Sequence, residues 1–262
     1  MRKFFNVEVK PRVPYNLSGF AADDVLFDFT SFDIPKGAAK LVSAQMLIRA
    51  KSDLTQNVGA NDSNDLVFCR DLPGNVGPGS VGTPHATANG SQYYNHLLGS
   101  IHMSGNPLDA LDYMGIISAT GGLADDSLPI ILQGQPDSGT NVGFDRIYVA
   151  GIHRTGSAAQ SYNFYQGILV DGSFAADGTV SSINVDNGSG ASAASGLKLN
   201  KGDIVDTSTG QVLGTVKSVA MTGTDDTITF EEPITLDGGP TINNNVVLHN
   251  PHPITLQFGF EV

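Results

Sequence analysis

The chain has 262 residues, and its 26 acidic side chains outnumber 14 basic ones, leaving a net charge of −12. That surplus repels phosphate backbones and anionic lipid headgroups, so no nucleic acid and no membrane surface is expected as a partner. A single cysteine, Cys69, excludes an intrachain disulfide and a cysteine-built zinc site, and no apolar run approaches the roughly 18 residues of a membrane-spanning helix.

A chain of this size can bury roughly 70–75% of the surface its unfolded form exposes, so it needs no covalent staples. Hydrophobic residues make up an ordinary 40%, but 31 glycines and 13 prolines predict short strands joined by many tight turns. The opening MRKFFNVEV alternates apolar and polar residues and lacks the apolar stretch of a signal peptide, which predicts synthesis and folding in a cytosol. Asn-x-Ser matches at Asn16, Asn61, Asn89 and Asn187 are then loop composition.

Period-two alternation dominates from the start. Phe5, Val7 and Val9 alternate with Asn6 and Glu8; Val25, Phe27 and Phe29 alternate with Leu26, Asp28 and Thr30. Further strands are predicted at residues 41–50, 65–70, 114–119, 128–132, 144–153 and 164–170. Between them, residues 52–64 and 72–91 read as long loops, the second holding Gly74, Gly77, Gly79, Gly82 and Gly90. Loops of this length in a compact domain are functional or ordered by a neighbour, so protein contacts are expected at Asn57, Asn61, Pro73, Asn75, Pro78 and Pro84, with Tyr93 and Tyr94 beside them. Helical signals are confined to residues 92–98 and to 106–113, where Pro107 suits a first helical position.

After residue 170 the composition shifts to Ser, Ala, Gly, Asn and Asp, followed by short strands predicted at 197–199, 203–206, 212–219, 227–230 and 246–248. Residues 171–249 therefore read as a small barrel. The clearest strand comes last: Ile254, Leu256, Phe258, Phe260 and Val262 share one face, with Thr255, Gln257 and Glu261 on the other. A chain end with five apolar side chains in a row must be tied into a sheet. It resembles the strands of the first region, which predicts a sandwich domain of residues 1–170 plus 250–262 with 171–249 inserted. Two domains in series are the alternative. The expected fold class is all-β, a jelly-roll-like β-sandwich with a small β-barrel inserted before the last strand.

The motifs of chemistry are absent. Residues 77–82 match G-x-G-x-x-G, but Thr83-Pro84-His85 follow where a dinucleotide site needs a helix start. There is no G-x-S-x-G, H-E-x-x-H or phosphate-binding loop. His249 and His252 lie beside two prolines and read as an exposed turn, since a metal would require further ligands. The Asp pairs at 23–24, 125–126 and 225–226 lack the spacing of a calcium loop and read as turn residues. Sugar-stacking aromatics are sparse: there is no tryptophan, leaving Tyr93, Tyr94, Tyr162 and Tyr165. No catalytic residue, cofactor or metal is expected, and the chain does not read as an enzyme.

The segments Lys3-Phe4-Phe5-Asn6-Val7-Glu8-Val9-Lys10-Pro11, Asp24-Val25-Leu26-Phe27-Asp28 and Ile34-Pro35-Lys36-Gly37-Ala38-Ala39-Lys40-Leu41 resemble virion structural proteins of tailed phages, including those of marine phages and cyanophages. Lys201-Gly202-Asp203-Ile204-Val205 and Leu213-Gly214-Thr215-Val216-Lys217-Ser218-Val219 look like small β-barrel modules of phage head and tail proteins. The resemblance implies a capsid decoration, or cement, protein on the virion surface, made in the cytoplasm of the host bacterium. It implies the major capsid protein as partner and a homo-oligomer, with a trimer favoured. The alternatives are a tail, neck or baseplate component, and a glycan-binding host-surface adhesin using residues 171–249.

Overall fold

The computed structural model describes residues 3–14, 20–49, 63–72, 77–85, 94–103, 108–110, 114–120, 128–136, 144–154, 168–170, 179–186, 199–207, 210–221, 225–235 and 246–262. Among the described residues, ten strands come before the barrel: β1 (Phe4–Val9), β2 (Val25–Pro35), β3 (Ala38–Ile48), β4 (Asn64–Cys69), β5 (Leu97–Met103), β6 (Leu108–Ala110), β7 (Met114–Thr120), β8 (Ile130–Gln133), β9 (Gln135–Pro136) and β10 (Phe144–His153). Seven more follow: β11 (Ile168–Val170), β12 (Thr179–Asp186), β13 (Ile204–Thr207), β14 (Val212–Met221), β15 (Asp225–Thr235), β16 (Val247–His249) and β17 (Ile254–Glu261). The protein is all-β, a jelly-roll-like sandwich whose chain builds a barrel before returning for its last strand.

One sheet runs in the order β1-β17-β3-β7-β6, with β8 also on β3; the facing sheet runs β2-β10-β4-β5, with β9 on β10. Strands β11 to β16 close into a barrel with its own core around Ile183, Val185, Val205, Val216 and Ile228. The last strand lies antiparallel between the first and the third. Phe4 faces Glu261 and Val9 faces Leu256 on one side, while Ile254 faces Ile48 and Glu261 faces Lys40 on the other.

The alternation in β17 explains this position. Ile254, Leu256, Phe258 and Phe260 are all buried, while Gln257 faces outward. Across the sandwich, the Phe258 ring meets Phe32 of β2 at 5.4 Å and Phe68 of β4 at 5.5 Å, and Phe260 stacks on Phe5 of β1 at 5.1 Å. Tilted and edge-on ring contacts of this kind add to what area burial alone contributes. Val262, expected on the same buried face, is exposed, lying one residue past the end of the strand at Glu261.

Other differences from the expected elements have local causes. The alternation expected through Phe29 breaks: register shifts between Val149 and Ile152 of β10 move the core face of β2 from Phe27 to Phe32 and Ile34. Gly151 sits at this irregularity, where a Cβ would collide with the Phe27 ring. Residues 94–96 form a single 3-10 turn leading into strand β5, not a helix, because Ile101 and Met103 are drawn into the core. Residues 108–110, read as helical, pair with β7 as β6. Ile168–Val170, grouped with the first region from sequence, pairs with β12 and β16 of the barrel. Strand β12 occupies the Ser-, Ala- and Gly-rich sequence where no strand was expected, and Leu199, read as strand, lies in a bend.

Because β17 is held on both sides and fills the core, Phe258→Ala should cost about 3–5 kcal/mol in denaturant unfolding. Ending the chain at Pro253 should abolish the cooperative transition altogether. Replacing residues 168–249 by a short linker should leave a cooperatively folding sandwich, measured by heat unfolding and amide dispersion in NMR spectra.

Candidate functional site

A cluster of titratable groups lies where the barrel meets the sandwich. Pro11 and Pro14 end β1, and the intervening backbone turns toward residues 250–253, the segment leaving the barrel. Val13 N donates to Pro251 O at 2.7 Å and Arg49 N donates to Pro253 O at 2.9 Å, so this exit is bracketed by the segments that follow β1 and β3. A ring nitrogen of His252 lies 3.1 Å from Pro11 O, and the His252 backbone N–H donates to Asn250 Oδ1 at 2.7 Å.

That bracketing aims two arginines at the barrel. Arg49 Nη2 donates to Asp203 Oδ1 at 2.8 Å, and Arg12 Nη2 donates to Asp206 Oδ2 in a short contact. The Asp206 side chain is only 1% exposed, and His249 of β16 pairs with it across the ladder. Burial pushes the Asp206 carboxyl up from the ordinary range, opposed by the positive charge of Arg12 and by His249 and His252. Burial pushes His249 down, opposed by its backbone hydrogen bonds and by Asp206. His249 is thus a buried strand residue, correcting its expected place in an exposed turn: the two prolines follow the strand and do not interrupt it.

A second network closes the other side of the β2-β10-β4-β5 sheet. Asp65 of β4 faces His102 of β5, with a ring nitrogen 2.6 Å from Oδ1, while Arg154 Nε donates to Oδ2 at 2.7 Å. Arg154 also donates through Nη1 to Asp23. Both Asp65 oxygens are engaged, so this carboxylate works as a tie between strands. The expected turn pair Asp23-Asp24 divides its labour: Asp23 takes the arginine, and buried Asp24 accepts from Ala21 N at 2.8 Å. Asp225 and Asp226 lie within β15, not in a turn, and Asp226 is fully buried. Asp125 and Asp126 lie outside the described residues. Among the described residues, no group of three or more His, Cys, Asp or Glu could hold a metal ion.

The two outer faces of the sandwich differ. On the β2-β10-β4-β5 sheet, Cys69, Ala150 and Ile152 are buried, and burial pushes the Cys69 thiol up to about 12, leaving it unreactive at neutral pH. The opposite face is open and polar, with Glu8, Gln257, Gln45 and Ser118 aligned across four strands. Three of them, Glu8, Gln45 and Gln257, line a shallow depression of about 410 Å³ together with Asn6, Ser43 and Gly259. Gly259 is its floor, since a Cβ there would strike the Ser43 hydroxyl.

Among the residues expected to make protein contacts, Pro78 is buried, Pro84 is exposed and Tyr94 is 74% exposed. Asn57, Asn61, Pro73, Asn75 and Tyr93 lie outside the described residues, as do Tyr162 and Tyr165. Residues 77–85 run along β2: Gly82 N donates to Val25 O and Val25 N to Thr83 O, both at 2.9 Å, and His85 N donates to Asp23 O at 3.0 Å. The glycine motif is therefore spent on close approach to a strand, with Gly77 against Asp28, and no helix start follows it within the described residues. The ionic joint had no local signal, since Arg12 and Asp206 are 194 residues apart in sequence.

No protein-family model matches the chain, and no curated protein matches it. A solved structure titled as the crystal structure of the STIV MCP is similar over 99% of this chain and 97% of that one, at 13% identity and a TM-score of 0.17. At that score the likeness fixes neither fold nor function.

Arg12→Ala strands a buried carboxylate and should cost about 2–3 kcal/mol, less than a fully enclosed pair because Arg12 is half exposed. Adding Asp206→Asn should return most of that loss in chemical denaturation. His249 binds its proton more weakly folded than unfolded, so stability should fall as pH drops below 6.5, until the folded side chain titrates. Asp206 binds its proton more tightly folded than unfolded. It therefore returns stability as pH falls through its raised value toward 3.8. His249→Asn should flatten the first limb, and an unchanged slope in urea titrations between those pH values would refute the assignment.

Proposed function

We propose that the chain is a virion structural protein, specifically a capsid decoration protein that binds the major capsid protein and stabilises the head. What supports this reading is where the phage-like segments fall. Lys3–Pro11 supplies β1, residues 24–28 open β2, and residues 34–41 span the end of β2, the turn and the start of β3. Residues 201–205 and 213–219 supply the β13 and β14 hairpin of the barrel. Every segment carrying the resemblance is framework, so the likeness bears on the scaffold and not on a reaction centre.

The chemistry agrees with a docking role. The sandwich offers an open polar face and a net negative chain, while its largest ionic networks are consumed in holding strands and modules together. A protein that binds only the assembled shell shifts the shell's equilibrium toward the assembled state by mass action.

Mixing the purified protein with empty heads, before and after expansion, tests this directly. Saturable co-sedimentation and a higher disruption temperature of the heads are expected. Failure to bind either form would remove the reading, and labelling on tails of intact particles would replace it with a tail or baseplate role.

A further inference from the structure

We propose that β1 is a self-association edge, pairing antiparallel with β1 of a second copy across a twofold axis at Val7. In the sheet order β1 is terminal, with β17 on one side only. Lys3 and Val262 exchange both backbone hydrogen bonds, at 3.3 and 3.0 Å. By the alternation of an antiparallel ladder, Phe5, Val7 and Val9 then bond to β17, while the N–H and C=O groups of Phe4, Asn6 and Glu8 point away from it. Among the described residues no backbone group meets them.

Other edges among the described residues are bridged at one end, interrupted or short. Residues 81–85 bridge to Asp24 and Val25 at the start of β2. Strand β5 carries a register break near Leu97, and β6 is three residues long. Strand β1 has no break and no proline between Phe4 and Lys10, and it leaves Phe4 67% exposed with Phe5 and Val7 half-buried at the rim of the core. A continuous edge strand whose backbone groups lack partners is a template for another strand.

The sequence of β1 is complementary to itself in one register. With Val7 opposite Val7, Phe5 faces Val9 and continues the core face into the second copy. On the outer face Asn6 meets Glu8, and the Phe4 ring meets the Lys10 ammonium, which already sits 3.0 Å from Glu8. Sliding by one residue would place core-facing side chains against outward ones. Sliding by two in one direction would set Glu8 against Glu8, and in the other would set the Phe4 ring against a carboxylate. The hydrogen-bonded pairs in the favoured register are Phe4 with Lys10 and Asn6 with Glu8, the residues whose backbone groups are free.

Sedimentation of the purified full-length chain should show a concentration-dependent dimer. Asn6→Pro removes an outward N–H while sparing the ladder to β17, and should raise the dimer dissociation constant by about tenfold or more. Val7→Cys places thiols in a non-hydrogen-bonded pair at disulfide distance. Mild oxidation should then link it to dimers far more completely than Asn6→Cys, a result that does not depend on the proline variant folding. A chain that stays monomeric throughout, a dimer indifferent to Asn6→Pro, or equal cross-linking at both positions would overturn the proposal. None of these outcomes depends on capsid binding.

Discussion

The structure depends on one constraint: the last strand must find its place between the first and the third. Strand β17 cannot be an edge addition, because its buried side chains, Leu256, Phe258 and Phe260, form the middle of the sandwich core. Phe258 touches rings from β2 and β4 in the opposite sheet, so the two sheets have no complete interface until residues 254–261 arrive. The contacts with β1 join residues some 250 positions apart, and closing so long a loop is entropically costly before any contact rewards it. The aromatic character of β17 answers that cost, since rings bury more area per residue than any other side chain.

The same arrangement dictates how the barrel is attached. The chain enters it after β10, in the middle of one sheet, and leaves it into β17, in the other. Both connections therefore feed strands that are flanked on both sides. The joint is polar where the cores are apolar: Arg12 and Arg49 reach from the sandwich to Asp206 and Asp203 of the barrel. A charge pair of this kind adds little net stability, because desolvating Asp206 offsets much of the attraction. Its effect is directional, since a bidentate-capable guanidinium fixed by flanking backbone bonds accepts few orientations of its partner.

What the sequence reveals follows from the range over which its signals act. Strand β17 was legible because five apolar residues alternate without interruption, and β1 was legible from the shorter alternation of Phe5, Val7 and Val9. Strand β12 was not, because Ser181 and Ser182 interrupt its pattern and its surroundings are rich in glycine and serine, though Ile183 and Val185 are fully buried. Strand β5 was obscured by Gly99 and Ser100, which leave only Ile101 and Met103 to declare a core face. His249 was misread because prolines nearby are visible locally, whereas the Asp206 it faces belongs to another strand. Ion pairs across the fold obey geometry that no window of sequence contains, so the joint and the Asp65 network emerged only with the tertiary structure.

The two outer faces of the sandwich then divide the remaining roles. One holds Cys69, Ala150 and Ile152 out of solvent and carries the Asp65–His102–Arg154 network. The other aligns Glu8, Gln257, Gln45 and Ser118 in the open, lining a glycine-floored depression with the first three, and is bounded by the outer edge of β1. Extending this sheet through β1 would double the polar face without covering it, because a twofold axis normal to the sheet keeps both outer faces on the same side. Edge pairing and face contact are therefore compatible in one assembly. A partner recognising the polar rows would meet them twice, and the second contact would be intramolecular once the first had formed.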